Sequence, residues 1–189
     1  RRQRQMCIRD RYSRIMAPGD PVVEEDFVPL GFPVVAKTIM GEGGGDGVIL
    51  DVKDFNELDH ARKKYPKDTL LIQKHIHPRY YQDLRCWFRV FYVCGKVIPC
   101  FWDDQTHVYY RLNPNEEIRF SYLKIVIERI YRITGLDFFS SEIVWSKDGK
   151  FQVVDYVNDQ CDMRFKSDTP DGVPDEVIEE IVQAIISIL

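Results

Sequence analysis

The chain reads as short apolar runs separated by turn residues, broken by a few stretches at helical spacing. Gly31–Thr38 and Val48–Val52 predict two strands of a hairpin whose tip is the glycine-rich segment 41–47. Asp54 is placed to cap a helix with Phe55, Leu58 and Ala61 on one face, and Arg62-Lys63-Lys64 suit its C-terminal end. Leu70–Ile76 predicts another strand. Arg85–Trp102 predicts one or two strands turning at Cys94-Gly95-Lys96, with Asp83, Arg85, Trp87, Arg89, Phe91 and Val93 on one face by period-2 alternation. Val108–Leu112 is a short strand, and Phe120–Thr134 an amphipathic helix stopped by Gly135. Glu142–Trp145 and Phe151–Val157 pair around the turn Ser146-Lys147-Asp148-Gly149, and Asp175 caps a last helix over Glu176–Ile188. Strand–helix alternation is not sustained, so the fold class is α+β with antiparallel sheets.

Composition narrows this. With 189 residues, 44% hydrophobic and 30% charged, the chain can bury a core, which excludes disordered and collagen-like classes. No apolar run approaches the roughly 20 residues that span a bilayer, nor is there a secretory apolar stretch, so the expectation is a cytoplasmic protein with no membrane partner. Five cysteines lack the paired spacing of zinc ligands and read as reduced, packed thiols, and His75 with His77 lacks a third ligand. The net charge of −4 hides an asymmetry: six arginines against Asp10 give residues 1–14 a charge of +5, leaving −9 on the rest. An acidic body opposes nucleic acid as a partner. The stretch Met6–Arg11 resembles a translated adapter, and residues 1–16 are set aside as an artefactual or disordered basic arm.

Four features carry candidate chemistry, each with a plain structural alternative. Glycines at 41, 43, 44, 45 and 47 let backbone N–H groups converge on phosphate oxygens, or simply form a loose hairpin tip. Lys37, ending the apolar run Val34-Val35-Ala36, is either a point-charge phosphate donor or an outward strand lysine. Arg85 and Arg89 share a face with Trp87 and Phe91, where they need an anion or carboxylates unless that face is a wet edge. Glu142 and Asp155 on neighbouring strands, with Asn158, offer hard oxygen ligands suited to Mg²⁺, or are ordinary surface groups.

The order of these features resembles the ATP-grasp family, specifically its glutathione-synthetase and ribosomal-protein-glutamate-ligase branch, over roughly Pro33–Met163. The resemblance implies two lobes, residues 17–75 with the glycine-rich loop and 76–189 with the metal site, each an antiparallel sheet with helices. It implies that Lys37 contacts nucleotide phosphates, that Gly43, Gly44, Gly45 and Gly47 belong to the loop closing over them, and that backbone groups of Gln73, Lys74, His75 and Ile76 read the adenine edge. Arg89 would face the transferred phosphoryl group, and Glu142, Asp155 and Asn158 would hold Mg²⁺. The implied function is an ATP-binding, Mg²⁺-dependent module of a carboxylate–amine ligase working through an acyl phosphate, with ATP and an unidentified carboxylate and amine as substrates. The family's preceding domain is missing, so the chain reads as a fragment whose partner is that N-terminal domain. A non-catalytic nucleotide-binding module and an ATP-grasp kinase are the alternatives. Two departures stand out. Asp155 and Asn158 are one residue further apart than the family's Glu-x-Asn, which in a regular strand puts them on opposite faces, so a bulge is required for both to bind metal. Trp87 replaces an acidic residue common in the branch.

Overall fold

The computed structural model describes residues 12–40 and 47–188, and the chain divides into two compact units, 1–76 and 77–189.

In unit 1, strands β1 (Ser13–Met16), β2 (Val34–Thr38), β3 (Val48–Val52) and β4 (Leu70–Lys74) form an antiparallel sheet in the order β1-β4-β2-β3. Helix α1 (Glu24–Phe27) precedes β2, and α2 (Phe55–Lys64) lies between β3 and β4. Val34 and Ala36 face the core with Ile72 of β4 and Leu58 and Ala61 of α2, while Val35 and Lys37 alternate to the opposite face. The Asp54 carboxylate caps α2 by accepting the Glu57 N–H at 2.9 Å, and Glu57 in turn accepts the Lys53 N–H at 2.7 Å. Arg62 is buried, and among the described residues no carboxylate pairs with it. Its guanidinium is satisfied by the carbonyls of Ala17 at 3.1 Å and Asp68 at 2.7 Å and by that of Tyr65, which ties the end of α2 to the chain leaving β1.

The strand β1 corrects one expectation. Ser13–Met16 belongs to the segment set aside as a basic arm, yet it pairs along β4, and Met16 is 2% exposed in the core. Without it β4 would present an open edge. The remainder of that arm through residue 11 lies outside the described residues, as does residue 189.

Unit 2 is built on β7 (Trp87–Val93), β8 (Lys96–Trp102), β9 (Tyr109–Arg111), β10 (Phe138–Trp145) and β11 (Phe151–Asn158), antiparallel in the order β11-β10-β7-β8-β9. A separate hairpin, β5 (Tyr80–Tyr81) with β6 (Leu84–Arg85), precedes it. The expected single strand from Asp83 to Val93 is interrupted by a bend at Cys86, whose N–H donates to the Arg79 carbonyl at 2.8 Å while its carbonyl accepts the Trp145 N–H of β10 at 2.9 Å. Helices α3 (Pro114–Arg119) and α4 (Tyr122–Thr134) precede β10, and α5 (Asp175–Ile186) ends the described chain. One sheet face, with Phe88, Val90, Tyr92, Phe139 and Ile143, buries against Leu123, Ile127 and Ile130 of α4. The other, with Phe91, Val93, Ile98 and Cys100, buries against Val177, Ile178 and Ile181 of α5. Gly135 ends α4 at φ +69, where a side chain would be strained. The cap of α5 is Pro174, not Asp175: the Asp175 carboxylate accepts from the Ser167 N–H at 3.0 Å.

Candidate functional site

Residues directly opposite one another in an antiparallel pair project to the same side of the sheet. Glu142 in β10 lies opposite Arg89 in β7 on one side and Asp155 in β11 on the other, and Ser140 lies opposite Asn158. Between those two pairings β11 has Tyr156 and Val157 where β10 has only Ser141, which is a β-bulge. The extra residue resets the alternation, so Arg89, Glu142, Asp155 and Asn158 share one face of the sheet. The Ser141 hydroxyl donates to the Asp155 carbonyl at 2.7 Å across the bulge. Two carboxylates and an amide oxygen on one face are hard donors of the kind Mg²⁺ takes. Among the described residues no three His, Cys, Asp or Glu side chains group as a metal site.

Arg89 is the most constrained of these groups. It is 8% exposed, and Nη2 donates to Glu142 Oε1 at 2.6 Å. Its guanidinium carbon lies 4.7 Å from the centre of the Trp102 ring, a cation–π arrangement. Trp87, the departure from the family pattern, donates its indole N–H to the other Glu142 oxygen at 3.4 Å. Nε and Nη1 of Arg89 are buried and find no hydrogen-bond partner among the described residues. Such donors carry a desolvation cost of about 1–3 kcal/mol unless something accepts from them.

Several neighbours of Arg89 were not legible beforehand. Burial pulls the Asp162 carboxyl up, but hydrogen bonds with Arg164 and the charge of Arg89 outweigh it and hold the group below its ordinary value. Burial pushes the Tyr109 phenol up, with Arg89 opposing. Burial likewise pushes the Cys161 thiol up against the Ser140 hydroxyl and Arg89, and Cys161 Sγ donates to the Asn158 carbonyl at 3.3 Å. These residues come from β9, β10 and the segment after β11, and only the β7–β8 register, in which Phe88 pairs with Phe101, brings Trp102 near Arg89. Arg85 pairs with Asp104, its Nε and Nη2 donating to the two carboxylate oxygens at 2.7 and 3.0 Å.

In unit 1, Lys37 is half-buried on the sheet face away from the core, opposite Val48 and Leu71. Gln73 lies on that same face and donates to the Ser13 hydroxyl at 3.1 Å. The Lys74 N–H donates to the Tyr12 carbonyl at 3.0 Å and the His75 N–H to the Pro33 carbonyl at 3.1 Å, so those two donors are engaged within the unit. Ile76 is buried. Gly47 has φ +75, its carbonyl accepts the Thr38 N–H at 2.9 Å, and a Cβ there would run into Thr38 Oγ1. Glycine is thus required at 47 by hairpin closure itself. Gly43, Gly44 and Gly45 lie outside the described residues.

The sequence matches no protein-family model and no curated protein. Solved structures do match. D-alanine–D-alanine ligase from Bacillus anthracis in complex with ATP is 17% identical over 97% of this chain and 61% of its own, with a TM-score of 0.65. A RimK-domain ATP-grasp protein from Sphaerobacter thermophilus is 20% identical over 98% and 65%, with a TM-score of 0.62. The ATP-grasp ligase PsnB, complexed with a minimal precursor, Mg and ADP, is 13% identical over 96% and 55%, with a TM-score of 0.60. The chain has the ATP-grasp fold. It spans 55% to 65% of the length of these solved chains. Among the described residues no helix is long and apolar enough to cross a membrane.

Proposed function

We propose that the chain is the ATP-binding, Mg²⁺-dependent module of an ATP-grasp carboxylate–amine ligase that works through an acyl phosphate. The observation that carries this reading is Arg89: a buried guanidinium with Nε and Nη1 unmet, on the face that also bears Glu142, Asp155 and Asn158. A planar fork of N–H donors suits phosphoryl oxygens. Arg89 would donate to the transferred phosphoryl group and offset the charge that builds on it, while Glu142 and Trp102 hold the guanidinium in place. Glu142, Asp155 and Asn158 would hold Mg²⁺, which when bound neutralises and orients nucleotide phosphates. Lys37 of unit 1 would supply a second phosphate cation, the loop of Gly43, Gly44, Gly45 and Gly47 backbone donors, and Gln73–Ile76 the adenine contact. The substrate carboxylate takes the γ-phosphoryl group, and an amine then forms the C–N bond as the C–O bond to phosphate breaks and phosphate leaves. Positioning and electrostatics do most of this work.

Calorimetric titration of ATP and GTP, each with and without Mg²⁺, tests the reading. The expected result is tighter binding of ATP than GTP and dependence on Mg²⁺, with the metal dependence reduced in Glu142→Gln and Asp155→Asn. Equal affinity for the two nucleotides, or indifference to the metal, overturns it. Binding without ADP formation would select the non-catalytic module, and ADP with a stable phosphoester the kinase.

A further inference from the structure

Unit 2 contains a polar concavity beside β6, β8 and β9, with a volume of about 240 Å³. Tyr80, Asp83, Arg85, Trp102, Asp103 and Tyr110 are among the residues lining it. That is smaller than the roughly 300–1,000 Å³ typical of pockets for whole small molecules, and it suits one side-chain-sized group. The charge of the wall decides which group. Arg85 is spent: Nε and Nη2 clasp Asp104 at 2.7 and 3.0 Å, and although burial pulls its pKa down, Asp104 and Tyr80 outweigh burial and raise it. Asp83 and Asp103 have no basic partner within ion-pair distance among the described residues, so their charge is not neutralised locally. Asp103 Oδ1 accepts the Gln105 N–H at 2.8 Å, which fixes its carboxylate at the rim. Tyr80 and Tyr110 stand 62% and 43% exposed and offer electron-rich ring faces. Tyr110 already receives a cation on its ring, with Lys166 Nζ 4.9 Å from the centroid.

We propose that this cavity recognises an organic cation, a primary ammonium or guanidinium at the end of an aliphatic chain, and that it thereby selects the cationic end of the ligase's substrate. The second half of the proposal rests on the ligase reading above. Carboxylates attract the charge, the aromatic rings receive the alkyl stem and the cation, and an anionic group would meet the two carboxylates of Asp83 and Asp103 while Arg85 stays paired to Asp104. Trp102 joins the two places, since it lines the cavity and lies under Arg89.

The test is an NMR titration that follows the tryptophan indole N–H signals of the whole chain. The probes are n-butylammonium, Nα-acetyl-lysine amide and Nα-acetylarginine amide, with Nα-acetylglutamate amide as the anionic control. Saturable shifts of Trp102 but not Trp145 are expected with the cations and none with the glutamate amide. Weaker shifts for butylammonium than for the lysine amide would identify a peptide side chain as the source, and the reverse order a free amine. Asp83 sits at φ +65, which Asn tolerates, and Asn at 103 keeps the acceptor for the Gln105 N–H, so Asp83→Asn with Asp103→Asn should retain the wild-type melting curve. This pair should lower cation affinity about tenfold, the scale of two exposed charge contacts. Glutamate binding as strong as lysine, or an unchanged affinity in the double variant, overturns the proposal. ADP is titrated in parallel: cation binding without nucleotide binding keeps the cavity and removes the ligase, and nucleotide binding without cation binding does the opposite.

Discussion

Arg85 and Arg89 belong to one apolar stretch, each faces a carboxylate, and each is largely buried, yet the two are finished differently. Arg85 gives two hydrogen bonds to Asp104 in a fork, and its side chain is 20% exposed. Arg89 gives one to Glu142, is 10% exposed at the side chain, and keeps two donor nitrogens unmet. Sequence alternation treats the two as equivalent. Hydrogen-bond completeness separates them, because a saturated pair holds structure, whereas an unsaturated buried donor needs an acceptor from elsewhere.

The largest expected effect breaks the contrast at Arg89. In an enzyme with turnover, Arg89→Ala should slow ADP formation by about 10²–10³-fold, the scale of one preorganised donor. Arg89→Lys keeps the charge beside Glu142 without the planar fork and should recover little of that loss. Recovery by lysine would show that charge alone matters and that the unmet nitrogens do not.

The next effect lies at the saturated pair and on stability. Asp104→Ala strands a partly buried Arg85, and urea unfolding should register a loss of about 1–3 kcal/mol. Asp104→Asn, which keeps one acceptor oxygen, should lose less. If both are neutral, the Arg85 fork is a solvated pair and the contrast with Arg89 rests on burial alone.

The smallest effect comes from a third arrangement, in which one carboxylate serves two cations. Glu180 of α5 meets Lys96 at 2.8 Å and Arg111 at 2.6 Å, which fastens the helix to β8 and β9. Burial pulls its pKa up, but those two partners outweigh burial and hold it below the ordinary value. A lowered folded value means that the unfolded chain binds the proton more readily. The contribution is therefore present above the unfolded value of about 4.3 and fades as pH falls through the lower folded one. Urea midpoints measured down the acid limb should fall less steeply in Glu180→Gln. An identical slope would mean that solvent screens the network.

What could be read in advance follows the range of the forces involved. Strands β2 and β3, helix α2 with its Asp54 cap, and α4 with its Gly135 stop are set by local alternation and capping chemistry. The strand β1 was hidden because only Met16 of its four residues is buried, leaving no alternation to detect. Helix α3 did have a signal, the Asn113–Glu116 capping box with Pro114 behind the cap, and it was missed. At the candidate site, Arg89 and the carboxylates carry local patterns, but Trp102, Tyr109 and Asp162 reach Arg89 only through strand order and register. Asp155 and Asn158 were the intermediate case: their spacing showed that a bulge was needed, and the pairing of β10 with β11 contains it between those residues.

All three tryptophans of the chain, Trp87, Trp102 and Trp145, fall in unit 2, and the first two touch the Arg89–Glu142 pair or its guanidinium. The molecule therefore carries its own optical label. Selectively excited indole emission reports unit 2 alone, while unit 1 is visible only through tyrosine. The indole of Trp102, stacked on His107 at 5.3 Å and lying beneath Arg89, is placed to change in brightness when either neighbour moves. A stopped-flow trace of that emission would time events at the sheet face without any chemical modification of the protein.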